Sequence, residues 1–417
     1  MFPRASRRSE GRSPSACGRA EIGGTVLSWQ KKLLFTAVLL LFAYLFAETI
    51  ASILYVRGVV MPNSSIFLFE ESSRTVAFDP VRGYRLSREP ARFARITSGE
   101  ICFTGELRGN NEGFPDRDDF GPARPDTETR RLAVLGDSFT SAQFLPCSWP
   151  DRAEDLAAEH GVRLQLLNFS LDGGGLLNWL SVLERHIIPS AYQLDGVVLP
   201  VFDSDLHRGF HIRDDSDPPI DAAGQRGHRL GYVYTWDLEM LPQSFAEAER
   251  HFYLYNTYIL THAEYERALR GEWKPVVSRP FRPFVLWQIV NKLGVYWGDG
   301  LPGALSREVR IAHRTNVDGR RKAVERMAQA LKKLGVPVLV VRIPSRPELL
   351  GEEPDGCQEK RDLAAALGAA FVDGAEPFAG LTPDEIRAEW IHHDHHWNQA
   401  GSDRFARFIW QRLAREP

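Results

Sequence analysis

The stretch Arg130-Arg131-Leu132-Ala133-Val134-Leu135-Gly136-Asp137-Ser138-Phe139-Thr140 decides the fold. Leu132 to Leu135 is a short apolar run that breaks off at Gly136-Asp137-Ser138, the pattern of a buried strand ending in a tight turn. Ligands of an open parallel sheet bind just beyond the carboxyl ends of its strands. A serine at such a turn is carried on a rigid element with its hydroxyl toward the crevice.

Outward from this turn the chain reads strand, helix, strand. Trp149 to His160 is a helix that Gly161 is placed to stop, and Val162 to Phe169 is an apolar second strand. Ser170-Leu171-Asp172-Gly173-Gly174-Gly175 follows, then a helix from Leu176 to Ile188 and a third strand from Gly196 to Phe202. After Asp203-Ser204-Asp205-Leu206 the rhythm breaks. Residues 207–312 are aromatic and polar without clear alternation, and too long for a structureless loop in a compact domain. They read as a partly helical insertion, with helices near 244–270 and 283–293, that walls or caps the crevice. The regular pattern resumes with a helix from Arg321 to Leu334, a strand from Pro337 to Ile343, a short helix from Asp362 to Leu367 and a short strand from Ala370 to Val372. Gln399 to Ala414 closes the chain as an amphipathic helix. This alternation predicts an α/β fold, a parallel sheet covered by helices on both faces, over 131–206 and 313–417.

Just before the last helix stands His392-His393-Asp394-His395-His396-Trp397-Asn398-Gln399-Ala400-Gly401. Gly136-Asp137-Ser138-Phe139 resembles the first block of the SGNH (GDSL-type) esterase and acyltransferase superfamily, and the His-rich segment resembles its last block. The Asp-x-His-Trp-Asn form of that block is similar to envelope members of alginate O-acetylation type. Phe78–Leu86 and Asn110–Pro115 resemble segments that precede the first block in membrane-anchored members. The likeness covers roughly 75–206 and 320–414. It implies a three-layer α/β/α, flavodoxin-like arrangement and a serine that forms an acyl-enzyme.

A serine hydroxyl is a weak nucleophile at neutral pH and needs a base, which in turn needs an orienting partner. Ser138, His396 and Asp394 are the candidate nucleophile, base and partner. The three-residue spacing commoner in the family would put His393 in the acid's place, and an imidazole cannot serve as the anionic partner. A nucleophile elbow of the α/β-hydrolase type is disfavoured because its Gly-x-Ser-x-Gly has Thr140 in the fifth position here. Gly-Asp-Ser alone is a plain turn; its conjunction with the strand before it, the sheet after it and the Asp-x-His motif makes it chemical. The resemblance further implies an oxyanion hole from the Ser138 N–H, a glycine of the second block (Gly173, or Gly174) and an asparagine of the third block. Ser204 stands in the asparagine's place, a departure that leaves room for a weak, transferase-type or inactive member.

Four histidines around Asp394 also form a His-rich tract. Zinc takes three or four ligands, and neighbouring histidines need a further segment to complete its shell. No Cys/His cluster elsewhere in the sequence supplies one, so no metal and no cofactor are expected. His207, His211 and His228 read as surface residues. Cys17, Cys102, Cys147 and Cys357 have no metal-ligand spacing, and the composition demands no disulfide.

At the amino end, residues 1–32 form a basic, low-apolar tail, with five arginines and Lys31-Lys32 against only Glu10 and Glu21. Leu33 to Val56 follows, largely apolar with one acidic interruption at Glu48 and long enough for the ~20 residues a bilayer requires. A cleaved signal would be shorter, with a small-x-small site. An uncleaved single-pass anchor with its basic end in the cytoplasm is expected, which puts the rest of the chain in the periplasm or outside the cell. Residues 57–130 are rich in Pro, Gly and Arg, with strand-like patches at Thr75–Phe78 and Arg95–Thr104, and read as a β-rich lead-in. For the whole chain of 417 residues, 43% apolar and 25% charged with a net charge of −3, composition is that of a globular protein and offers no case for a nucleic-acid partner. The sequence thus predicts a membrane-anchored serine esterase for O-acyl esters, with an envelope glycan as the candidate carrier. The alternatives are a polysaccharide O-acetyltransferase and a catalytically inactive glycan-binding module.

Overall fold

The computed structural model describes residues 28–56, 65–70, 76–79, 83–97, 100–206, 257–272 and 321–414. The helix Trp29–Val56 has 28 residues, about 42 Å at 1.5 Å per residue. Its segment Trp29–Ala51 has a mean hydropathy of 2.2 and is long and apolar enough to cross a membrane. Leu34, Phe35, Leu40 and Phe42 are exposed along it.

The remaining strands, in chain order, are β1 (Ser65–Glu70), β2 (Val76–Asp79), β3 (Gly83–Leu86), β4 (Ala91–Thr97), β5 (Glu100–Leu107), β6 (Arg130–Val134), β7 (Leu164–Asn168), β8 (Gly196–Val201), β9 (Thr257–Leu260), β10 (Val338–Arg342) and β11 (Ala370–Asp373). Five of them form a parallel sheet in the order β11-β10-β8-β6-β7. The chain enters at β6, steps to β7 on one side, then returns to continue through β8, β10 and β11 on the other. That is the flavodoxin-like order, whose switch point falls between β6 and β8. The predicted α/β class and layer arrangement are therefore present.

Side chains along each strand alternate between two cores, as a period of two requires. Leu132 and Val134 pack with Trp149, Leu156, Phe405 and Ile409 of helices Trp149–Glu159 and Gln399–Leu413. Ala133 and Leu135 pack instead with Trp179, Leu183, Met327 and Leu363 of the elements on the other face. These are helix Leu176–Val182, which runs on as a π-type turn Leu183–Ile187, helix 321–334, and helix Cys357–Leu367. The last starts earlier than the predicted 362 because Cys357 and Lys360 are buried too and extend its buried face.

The lead-in is a second sheet, order β5-β4-β1-β9, with β4 and β5 as an antiparallel hairpin; β2 and β3 form a separate two-stranded ribbon. Its edge strand β9 comes from the segment predicted to be helical near 244–270. Thr257, Tyr258 and Ile259 are β-branched or aromatic and pair parallel with β1, and the helix begins only at His262. Thr261 and Glu264 form the capping box that starts it. The described part of the insertion is thus a strand of the lead-in sheet followed by a helix, not one continuous helix. The helix expected near 283–293, His207, His211, His228 and the basic tail lie outside the described residues, apart from the tail's last few. Cys102, Cys147 and Cys357 are free thiols.

Candidate active site

Gly136 to Ala142 folds as it does for steric reasons. A side chain at Gly136 would place its Cβ 2.3 Å from Thr140 Oγ1, so only glycine admits the turn this close. Asp137, fully buried, caps the one-turn helix Ser138–Ser141 by accepting from the Phe139 N–H at 2.9 Å. Ser138 thereby stands at the carboxyl end of β6, beside the switch point. Among the described residues no acceptor takes the Ser138 N–H.

The loop that brings the histidine is closed at its base. Trp390 and Trp397 form an antiparallel bridge, the Asn398 N–H donates to Glu389 O at 2.9 Å, and Asn398 caps the last helix. Trp397 is fully buried, with Phe139 and Phe405 rings 4.8 Å from its own. This fixes the residue before it in the chain. His396 lies with its ring 4.7 Å from Phe139 and 4.7 Å from Phe144.

Ser138 Oγ is 2.8 Å from His396 Nε2, and His396 Nδ1 is 2.5 Å from Asp394 Oδ1. The His396 backbone N–H also donates to Asp394 Oδ1, at 2.8 Å. With Nδ1–H donating to the carboxylate, Nε2 keeps its lone pair for the serine proton. The three predicted residues are brought together, 258 positions of chain apart between Ser138 and His396.

One residue at this site was not predicted. Arg95, from β4, places its guanidinium 2.5 Å from Asp394 Oδ2; the Asp394 side chain is fully buried and that of Arg95 nearly so. The pairing register of β4 with β5 shifts between Arg95 and Ile96, and such irregularities re-aim side chains next to functional sites. Burial alone would push the Asp394 carboxyl up. The charge and hydrogen bonds of His396, and the charge of Arg95, outweigh it and hold the group below the usual carboxylate range. The only trace in the sequence is an arginine inside the strand-like patch Arg95–Thr104, and nothing local ties it to position 394. The sheet carrying Arg95 is docked here by Phe93, Phe144 and Ile391, and by the Glu106 N–H donating to Gln143 O at 3.1 Å.

The proposed oxyanion donors are partly placed. The Leu171 N–H donates to Gly136 O at 3.1 Å and the Ser141 hydroxyl bonds Asp172, so the second block lies against the nucleophile turn. Gly173 there has a φ of 70°, a left-handed value that favours glycine; Gly174 follows it, its N–H donating to Leu171 O at 2.8 Å. Ser204 sits in the 3-10 turn Asp203–Leu206 after β8, where the backbone is described but the Ser204 side chain is not. Asp203 of that turn pairs with Lys360, whose ammonium burial pulls down to about 8.

No family model and no curated protein matches the chain. Solved structures similar to it include the lipase/acylhydrolase from Enterococcus faecalis, 10% identical with a TM-score of 0.33 over 68% of this chain and 95% of that one. AlinE4, an SGNH-hydrolase family esterase, is 13% identical with a TM-score of 0.29 over 70% and 99%. A mutant of Axe2, an acetyl-xylooligosaccharide esterase from Geobacillus Stearmophilus, is 12% identical with a TM-score of 0.34 over 70% and 98%. The neighbours are SGNH/GDSL-type hydrolases, and at these identities and scores the likeness carries no function to this chain.

Proposed function

We propose that this chain is a serine hydrolase of SGNH type that cleaves O-acyl esters through an acyl-enzyme. The observation that carries this reading is the Ser138–His396–Asp394 relay, at 2.8 and 2.5 Å, at the carboxyl end of β6. In the reaction Ser138 Oγ forms a bond to the acyl carbon as its proton passes to His396 Nε2. The carbonyl oxygen becomes an oxyanion, for which the Ser138 and Gly173 N–H groups are the proposed donors, with Ser204 in the third position. Collapse breaks the bond to the leaving alkoxide, which takes the proton from His396 and departs as the alcohol. Water then repeats the sequence on the acyl-enzyme and releases the acid. Asp394 stays ionised throughout and stabilises the imidazolium.

Helix Trp29–Val56 is read as an uncleaved anchor with the catalytic domain outside the cytoplasm, which makes an acylated envelope glycan the fitting substrate. A reporter fused after Pro417 is expected to be active only outside the cytoplasm; a mature amino terminus between Ala43 and Gly58 would replace the anchor with a secreted form. A fluorophosphonate probe tests the chemistry itself: it is expected to label Ser138, and the Ser138→Ala protein is expected not to react. A folded protein that takes no label would be a binding module instead.

A further inference from the structure

We propose that Glu100, His392 and His393 bind a divalent transition-metal ion of the zinc class at the edge of the candidate active site. One carboxylate oxygen and one nitrogen of each imidazole all lie within 4.8 Å of one another. Consecutive residues of an extended chain send their side chains to opposite sides, so His392 and His393 do not converge by default. His393 has a φ of 58°, one of three positive values at non-glycine residues among those described. That conformation is unfavourable without glycine and persists only where the surroundings impose it. Here it accompanies the convergence of the two imidazoles, whose ring centroids are 3.8 Å apart.

The expectation of no metal rested on the lack of a further segment beside the histidines, and Glu100, the first residue of β5, is such a segment. Two imidazoles and one carboxylate with room for water suit zinc, whereas calcium and magnesium take oxygen ligands almost throughout. In a tetrahedral shell the ligand atoms stand roughly 3.4 Å apart at ordinary zinc–ligand distances. All three side chains are exposed, so rotation about their own bonds closes that gap without disturbing the core. Asp394 and His396 are not ligands, so the ion takes no part in the relay. It joins the β4–β5 hairpin, which carries Arg95, to the loop that carries Asp394, and acts as a clamp between the two.

The test is calorimetric titration of Zn²⁺ into the full-length Ser138→Ala protein in detergent, where binding is read independently of any ester chemistry. One ion per chain is expected. His393→Ala and Glu100→Gln should each weaken it by about tenfold or more, whereas His262→Gln, whose imidazole pairs with Glu70, should leave it unchanged. With Cu²⁺ as the probe, electron paramagnetic resonance should show two imidazole nitrogens, falling to one in His392→Ala. Glu100→Gln is near-isosteric and carries the test if an alanine variant fails to fold. Absence of saturable binding, or binding undiminished by both Glu100→Gln and His393→Ala, would overturn the site.

Discussion

The parallel sheet and the four-stranded lead-in sheet serve the same three side chains in different ways. The parallel sheet is buried on both faces, its strands are linked by helices, and it presents Ser138 at a strand end beside the switch point. The lead-in sheet is assembled from a hairpin, an earlier strand and β9 from far downstream, and it presents Arg95 to Asp394 from an irregular strand. Ser138, the proposed nucleophile, thus stands on the rigid, locally connected element, while Arg95, whose charge adds to the hold of His396 on Asp394, comes from another. The proposed chemistry and its electrostatic support are separable by mutation.

The largest effect is expected inside the relay. Ser138→Ala and His396→Ala should lower ester turnover by ~10⁴-fold or more, and Asp394→Asn nearly as much, with folding intact by circular dichroism. A Ser138→Ala protein that still turned over ester would break the comparison at its base.

The second variant addresses the lead-in sheet alone. Arg95→Ala removes one of the two groups paired with the buried Asp394 carboxylate among the described residues and leaves His396, and turnover should fall roughly 10²-fold, equivalent to about 2.7 kcal/mol. Arg95→Lys should restore much of it. A depressed carboxyl contributes stability that is complete above its unfolded value, about pH 3.9, and lost as pH falls through the folded one. Arg95→Ala raises the folded value, so acid unfolding should move to higher pH. An alanine variant with unchanged rate and unchanged acid unfolding would reduce Arg95 to a bystander.

Docking of the two sheets is the next target. A Cβ at Gly105 would lie 2.6 Å from Gln143 O and 2.8 Å from Phe144 Cα. Gly105→Ala should therefore cost about 1–3 kcal/mol by overpacking, read as a lower melting temperature. Because Arg95 rides on the same sheet, the labelling rate should fall with it.

A smaller effect belongs to the parallel sheet's own edge. Asp116 accepts from the Asn168 N–H at 2.8 Å, and burial pushes its carboxyl up to about 7 against that hydrogen bond, with Asp151 adding to the rise. A raised carboxyl holds its proton more tightly when folded, so stability is greatest below the unfolded value and declines as pH climbs toward 7. Asp116→Asn should flatten that decline in denaturant titrations between about pH 4 and 7. Smallest of all, His395→Ala should change turnover by no more than about threefold, since it carries no proton in the proposed relay.

Much of the parallel sheet was legible because its signals are local. Leu132–Leu135 before Gly136 and Gly161 after a helical run are each read within a few residues. The Asp-x-His spacing was likewise visible because both residues share one loop. Residues 257–260 misled for the opposite reason: a short apolar run reads as strand or helix until its partner is known, and the partner is β1.

By itself the sequence determined the alternation that builds the α/β layers and the long apolar helix near the amino end, and it offered Ser138, Asp394 and His396 as a candidate set. The first two follow from periodicity and turn chemistry carried by neighbouring residues, the third from the resemblance of the Gly-Asp-Ser-Phe and Asp-x-His-Trp-Asn blocks to the SGNH family. Only the tertiary structure decided that Arg95 meets Asp394, that β9 completes the lead-in sheet, and that Glu100 stands beside His392 and His393. Each of those joins segments remote in the chain through packing and charge, and such contacts leave no periodic trace in either segment alone.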